Sequence, residues 1–202
     1  MGRVLLSILG PNRCAACDAP TREETAFCPA CAATVERSSD PHAPFVYGGA
    51  LSNAITRFKY GPVPELARTL GALLAAEARG RFDVDAVVPV PLHPSRLVER
   101  GFNQAVLLAR PVARALGVPL RARALVRTRP TERQAELDRS ARLRNVAGAF
   151  RARRPIADRI LLVDDVRTTG ATQNACAGAL RAAGAPYVGC LVLAIAPAIG
   201  YP

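Results

Sequence analysis

The clearest chemistry in the chain lies in Ile160-Leu161-Leu162-Val163-Asp164-Asp165-Val166-Arg167-Thr168-Thr169-Gly170-Ala171-Thr172, where two adjacent carboxylates meet a hydroxyl- and glycine-bearing turn. Four apolar residues run straight into the acids, which reads as a buried strand ending at Asp164 and Asp165. Open parallel sheets bind ligands at the carboxyl ends of their strands, so both acids are expected beside a ligand. Carboxylates placed there accept hydrogen bonds from vicinal hydroxyls, such as those of a ribose. Thr168, Thr169, Gly170, Ala171 and Thr172 then supply successive backbone N–H groups, hydroxyls and a glycine that admits close approach. They also open a helix, whose N-terminal donors and dipole favour a phosphate. One loop would thus hold a sugar diol and a phosphate together. The pattern is neither a P-loop nor a dinucleotide fingerprint. A plain alternative is an Asp-Asp surface turn with a threonine N-cap.

A second set of residues suits a metal. Cys14-Ala15-Ala16-Cys17 and Cys28-Pro29-Ala30-Cys31 form two Cys-x-x-Cys knuckles separated by ten residues. Four thiolates make a closed tetrahedral shell of the kind Zn²⁺ prefers in structural sites, and Cys14, Cys17, Cys28 and Cys31 are the expected ligands. A pair of disulfides is the alternative, as in a secreted chain. Redox chemistry is a further one, although thioredoxin-like motifs sit at strand-to-helix junctions. Cys176 and Cys190 fall in apolar periodic segments and read as core.

A third segment can meet an anion. Val88 to Leu92 reads as a strand ending in a proline-flanked turn, followed by Arg96, Arg100, Asn103 and Gln104, which have little room to be core. A solvated arginine pair near a helix start is the competing view. His93 reads as a turn residue. From Arg121 to Arg154 arginines far outnumber the acids Glu132, Glu136 and Asp138, and no firm hydrophobic periodicity holds the segment. It reads as a phosphate-tracking surface or as a solvated connection.

These groups need a scaffold, and the patterning supplies one. Phe45 to Leu51 suggests a strand, and Leu66, Leu70, Leu73 and Leu74 follow helical spacing. Ala86 to Val90 is a short buried-strand run, and Asn103 to Leu116 is helical with a kink or an interruption expected at Pro111. Ala175, Ala179, Leu180 and Ala183 line one helix face, Gly184 supplies a stop, and Val188 to Ile195 reads as a final strand. Strands alternating with helices imply a parallel sheet covered on both faces. The Ser38-to-Pro41 stretch reads as a linker, so residues 1–41 form a small cysteine module and residues 42–202 the main domain.

Composition narrows the function classes. A formal charge of +11 favours polyanionic partners, although abundant Ala and Arg point equally to a codon bias, with Lys59 the single lysine. Aromatic residues make up 5% of the chain, which argues against an extended base-stacking platform. No apolar run approaches the roughly 20 residues of a membrane span. Val4 to Leu9 is too short for a secretory core, so a cytoplasmic protein is expected.

The segment from Ile160 to Thr172 resembles the phosphoribosyl pyrophosphate signature of type I phosphoribosyltransferases, and the whole chain is similar to the ComF family within that superfamily. The four-cysteine N-terminus, Val88 to Leu92 leading into Arg100-Gly101-Phe102-Asn103-Gln104, and Arg142 to Val146 carry the rest of the likeness. Arg167 departs from the pattern, where an apolar or small residue is more usual. The resemblance implies a Rossmann-like phosphoribosyltransferase fold that binds phosphoribosyl pyrophosphate with Mg²⁺, and it makes Arg121 to Arg154 similar to a mobile hood that closes over the substrate. Asp164, Asp165, Thr168, Thr169, Gly170, Ala171, Thr172 and Arg96 would contact the ligand, with Asp164, Asp165 and Arg100 at the reacting centre. It also implies a role in natural transformation, with imported single-stranded DNA and competence proteins as partners. A nucleotide-salvage or amidophosphoribosyl transferase and a ligand-sensing regulator share the signature. No residue pattern selects an acceptor, so turnover stays open.

Overall fold

The computed structural model describes residues 13–21, 25–61, 65–129, 146 and 148–197. Val4 to Leu9 and most of Arg142 to Val146 lie outside them, as does the middle of the arginine-rich segment. Four parallel strands form the sheet: β1 (Phe45–Val46), β2 (Ala86–Pro89), β5 (Arg159–Arg167) and β6 (Tyr187–Ile195), in the order β1-β6-β5-β2. A separate antiparallel pair, β3 (Leu125–Arg127) with β4 (Phe150–Ala152), gives the flanks of the arginine-rich segment a local structure. The helices are α1 (Pro29–Ala32), α2 (Gly49–Tyr60), α3 (Glu65–Ala78), α4 (Pro94–Arg100), α5 (Gln104–Leu116) and α6 (Ala171–Ala182).

Alternation along β5 divides the core. Leu161 and Val163 face one way and pack with Leu51, Leu70 and Leu108 of α2, α3 and α5. Ile160 and Leu162 face the other way, against Cys176 and Leu180 of α6 and Phe150 of β4. The strand period of two thus buries both faces of the sheet, as the unbroken aliphatic runs require.

Three local expectations are corrected. The strand predicted from Phe45 to Leu51 stops at Val46, and Gly49, at φ 47°, turns the chain into α2. Leu51, Ala54, Ile55 and Phe58 then recur at helical spacing, and all four are fully buried on α2. Pro111 does not end the helix: of the kink or interruption expected there, the interruption is ruled out, since α5 runs through it to Leu116. Pro111 packs against Gly71 of α3, where an added Cβ would stand 2.6 Å from the proline Cγ.

The third correction concerns the acids. β5 does not end at Val163: its ladder to β6 continues through Asp164, opposite Val192, to Arg167, opposite Ile195. On the other side β2 stops at Pro89, opposite Val163, and the Val90 N–H closes the edge with a 2.9 Å bond to the Val163 carbonyl. Asp164 and Asp165 are therefore strand residues held on one side and open on the other.

Candidate functional site

After the short, exposed α4, α5 packs on Leu161 and Val163, whereas α6, which follows β5, packs on Ile160 and Leu162 of the opposite sheet face. Neighbouring strands that diverge in this way leave a crevice at their carboxyl ends. A cavity of about 160 Å³ occupies it, lined by Lys59, Arg96, Arg100, Gln104, Arg127, Asp164, Asp165 and Thr172 among others.

Of the residues singled out by sequence, Asp164, Asp165, Thr172, Arg96 and Arg100 come together on this one cavity. Thr168, Thr169, Gly170 and Ala171 form the adjoining turn into α6 rather than the cavity wall. Gly170 is the helix N-cap at φ 78°, a left-handed conformation that glycine adopts without strain. The Ala171 N–H leans on Thr169 Oγ1 at 3.4 Å, and Thr168 is exposed.

The acid pair is held from both sides. Gln173, 6% exposed on the first turn of α6, donates through Nε2 to Asp164 Oδ2 at 2.6 Å, and the Asp165 N–H donates to Asp164 Oδ1 at 2.9 Å. Lys59 Nζ, at the end of α2, stands 2.9 Å from Asp165 Oδ2. Asp164 keeps some surface, yet loss of water around its carboxyl, reinforced by the Asp165 charge, pushes its pKa up to about 7. Burial pulls the Lys59 pKa down, but the charge and hydrogen bond of Asp165 outweigh it and hold the ammonium protonated.

The remaining wall is cationic. Arg100 lies over the Tyr60 ring at 4.9 Å and donates from Nη2 to the Tyr60 hydroxyl at 3.1 Å. Arg127 stacks on Phe150 at 5.5 Å, and burial, with the nearby charge of Arg96, lowers its pKa. Four cationic side chains thus face two acids, a surplus that favours a bound polyanion. Asn103 is committed elsewhere: its Oδ1 accepts from the Ala105 N–H at 3.0 Å and its Nδ2 donates to the Val90 carbonyl at 3.0 Å. His93 is the N-cap of α4, bonded to Ser95, as its turn position suggests. Arg167 pairs with Asp40, so the unusual residue ties the sheet to the preceding linker.

Sequence reasoning missed Lys59, Arg127 and Gln173 as site residues. Only Lys59 left a signal, being the one lysine among 27 basic residues. The others reach the site from separate elements, and nothing in their local sequence marks them.

The cysteines form a second centre. The Sγ atoms of Cys14, Cys17, Cys28 and Cys31 all lie within 4.8 Å of one another, and those of Cys17 and Cys28 are 3.8 Å apart. A tetrahedron built on metal–sulfur bonds of about 2.3 Å has edges of about 3.8 Å, so the cluster fits a thiolate-bound ion. All six cysteines are free. Burial raises the Cys14 thiol, but backbone hydrogen bonds from Cys17, Cys28 and Ala16 overcome it and lower its pKa to about 6. Burial and the neighbouring thiols push Cys31 up to about 12. Arg57 of α2 locks the module to the main domain, donating to the Cys14 and Ala15 carbonyls at 3.1 and 2.9 Å and to Asp18 at 2.7 Å.

The chain is thus an α/β protein with a cation-lined crevice at its parallel strand ends, an acid pair inside that crevice, and a separate cluster of four thiols that could hold a metal ion. No family model matches the chain. It is 33% identical to the DNA utilization protein YhgH of Escherichia coli K12, over 79% of each chain. It is 35% identical to Competence protein F of Haemophilus influenzae, over 66% of this chain and 63% of that one, and 32% identical to Competence protein ComFC of Streptococcus pneumoniae, over 71% and 63%. The chain belongs to the ComF family. Among solved structures it is similar to the glutamine phosphoribosylpyrophosphate amidotransferase of B. subtilis, with TM-score 0.46 and 23% identity over 68% of this chain and 30% of that one. It is also similar to adenine phosphoribosyltransferase of Trypanosoma brucei, with TM-score 0.39 and 14% identity over 84% and 80%. Among the described residues no helix is long and apolar enough to cross a membrane.

Proposed function

We propose that the chain is a phosphoribosyltransferase-fold protein that binds phosphoribosyl pyrophosphate in the crevice between β2 and β5. One observation carries the reading: Asp164, Asp165 and Thr172 share a single cavity with Arg96, Arg100, Arg127 and Lys59. Acids suited to a ribose diol thereby stand next to cations suited to a diphosphate, beside the glycine turn that opens α6. Asp164 and Asp165 accept from the ribose hydroxyls, with Gln173 and Lys59 fixing their carboxylates. Backbone N–H groups from Thr168 to Thr172 take the 5-phosphate. Arg96 and Arg100 neutralise the diphosphate.

Mg²⁺ suits this donor set, because it prefers oxygen ligands and is commonly held by one or two carboxylates plus substrate phosphates. It would supply charge neutralisation on the departing diphosphate when bound. The chain's own contribution is positional: the crevice holds the ribose between the acid pair and the arginines, leaving the anomeric carbon to an acceptor.

The thiol cluster is a structural Zn²⁺ site, closed to substrate and bracing α2 through Arg57. The names of the relatives, DNA utilization and competence proteins, support a role in handling imported single-stranded DNA in the cytoplasm. The arginine-rich flanks around β3 and β4 supply phosphate-binding charge for it.

Isothermal titration of zinc-loaded protein with phosphoribosyl pyrophosphate and Mg²⁺ tests the ligand. Saturable binding that is lost in Asp164→Asn/Asp165→Asn is expected, and no heat at millimolar ligand overturns the assignment. Fluorescence anisotropy with a labelled single strand at several salt concentrations tests the second part. A straight fall of log affinity with log salt is expected, whereas no binding at low salt rejects a DNA role.

A further inference from the structure

Gln104 is the most deeply buried polar side chain of the crevice, 2% exposed, and its Nε2 has no hydrogen-bond partner among the described residues. Roughly nine in ten buried polar groups in folded proteins are paired, so an unpaired amide donor calls for a reason. An apolar side chain at this first position of α5 would avoid the cost. The position is also rigid, since Asn103 caps the helix and anchors it to Val90. A second donor shares the condition: Arg100 Nε, on the same cavity, is buried and likewise unpartnered.

The acids in the cavity do not answer these donors. Asp164 takes the Gln173 amide and Asp165 takes Lys59. The missing acceptors must therefore arrive with a ligand. A neutral acceptor would satisfy an amide but add no negative charge beside Arg96 and Arg100 on the same cavity, whereas an oxyanion serves both.

We infer that Gln104 Nε2 is a ligand-reading donor reserved for a phosphoryl oxygen at the diphosphate end of the ligand, working beside Arg100 Nε. This rests on the phosphoribosyl pyrophosphate reading and adds a neutral donor that distinguishes the diphosphate from the ribose 5-phosphate end. The amide sits in a well-packed place, so it holds its direction without a flexible charged stem.

The test compares full-length zinc-loaded wild type, Gln104→Leu and Gln104→Glu, titrated separately with inorganic pyrophosphate and with ribose 5-phosphate in Mg²⁺. Gln104→Leu should weaken pyrophosphate binding about tenfold, leave ribose 5-phosphate within about twofold, and keep or raise the ligand-free melting temperature. Gln104→Glu, equal in length but acceptor-only and anionic, should weaken pyrophosphate at least about a hundredfold. A purely structural glutamine would instead lower the melting temperature and weaken both ligands together, which overturns the inference. Unchanged pyrophosphate affinity in Gln104→Leu, with wild type binding both ligands, also overturns it and leaves the ligand assignment standing. Wild type that binds neither ligand ends both.

Discussion

Replacing Lys59 by methionine removes the ammonium from Asp165 while keeping most of the stem volume. At 2.9 Å separation the attraction is about 6 kcal/mol at an effective dielectric of 20. Desolvation of both partners offsets much of it. The side chains retain 21% and 13% of their exposure, which places the pair nearer the buried than the surface limit. Fully buried pairs cost about 3–5 kcal/mol when one partner is lost, and surface pairs under about 1, so about 2–3 kcal/mol is expected for Lys59→Met. Urea unfolding of zinc-replete protein at pH 8 measures it. In a cycle with Asp165→Asn the double variant should recover at least about 1 kcal/mol of the summed losses. The same change acts on Asp164, whose pKa Lys59 helps to lower. Without that charge the carboxyl titrates above about 7, and the pH at which ligand binding reaches half its maximum moves upward with it. Coupling below about 0.3 kcal/mol together with an unmoved pH profile would refute the view that Lys59 holds the acid pair in place.

Asp164 carries a pH signature of its own. The folded state keeps its proton up to about 7 whereas the unfolded chain loses it near 3.8, so stability falls as pH rises through this window. Asp164→Asn should gain about 2–3 kcal/mol on wild type between pH 5 and pH 8, and parallel urea curves for the two proteins would contradict the raised value. Stripping the thiol cluster with a chelator should lower the melting temperature by about 5 °C or more, and re-added Zn²⁺ should restore it in calorimetry. Because α2 carries both Arg57 and Lys59, titration of the stripped protein should also show weaker phosphoribosyl pyrophosphate binding. Gly71→Ala should cost about 1–3 kcal/mol in chemical unfolding by driving a methyl into Pro111, and Pro111→Ala should relieve part of that loss.

Local sequence decides some of this molecule outright. Ala86 to Val88 and Ile160 to Val163 are short, mostly β-branched apolar runs of the kind a strand buried on both faces carries, and the observed β2 and β5 contain them. The thiol pairs declare themselves by spacing, because each knuckle brings its two sulfurs together within a few residues. Asp164, Asp165 and Thr172 stood out as candidates from their place after a buried strand, and Arg96 and Arg100 from theirs after another. Their meeting at one cavity follows from β2 and β5 being neighbours.

Tertiary structure decided the rest. Whether β5 ends at Val163 or continues to Arg167 depends on β6 lying alongside it, a partner some twenty residues away in sequence whose hydrogen bonds no local pattern reveals. Phe45 to Leu51 has strand-like composition, but α2 wins from Gly49 because Leu51, Ala54, Ile55 and Phe58 find a core to fill on one helical face. Lys59, Arg127 and Gln173 reach the crevice from α2, β3 and α6, so their burial and their partners exist only once the chain has folded, and the burial of Gln104 on α5 likewise follows from packing. A carboxylate can be read from a sequence, but the loss of water that raises Asp164 and the lysine that steadies Asp165 come from groups distant along the chain. Packing alone brings those groups together.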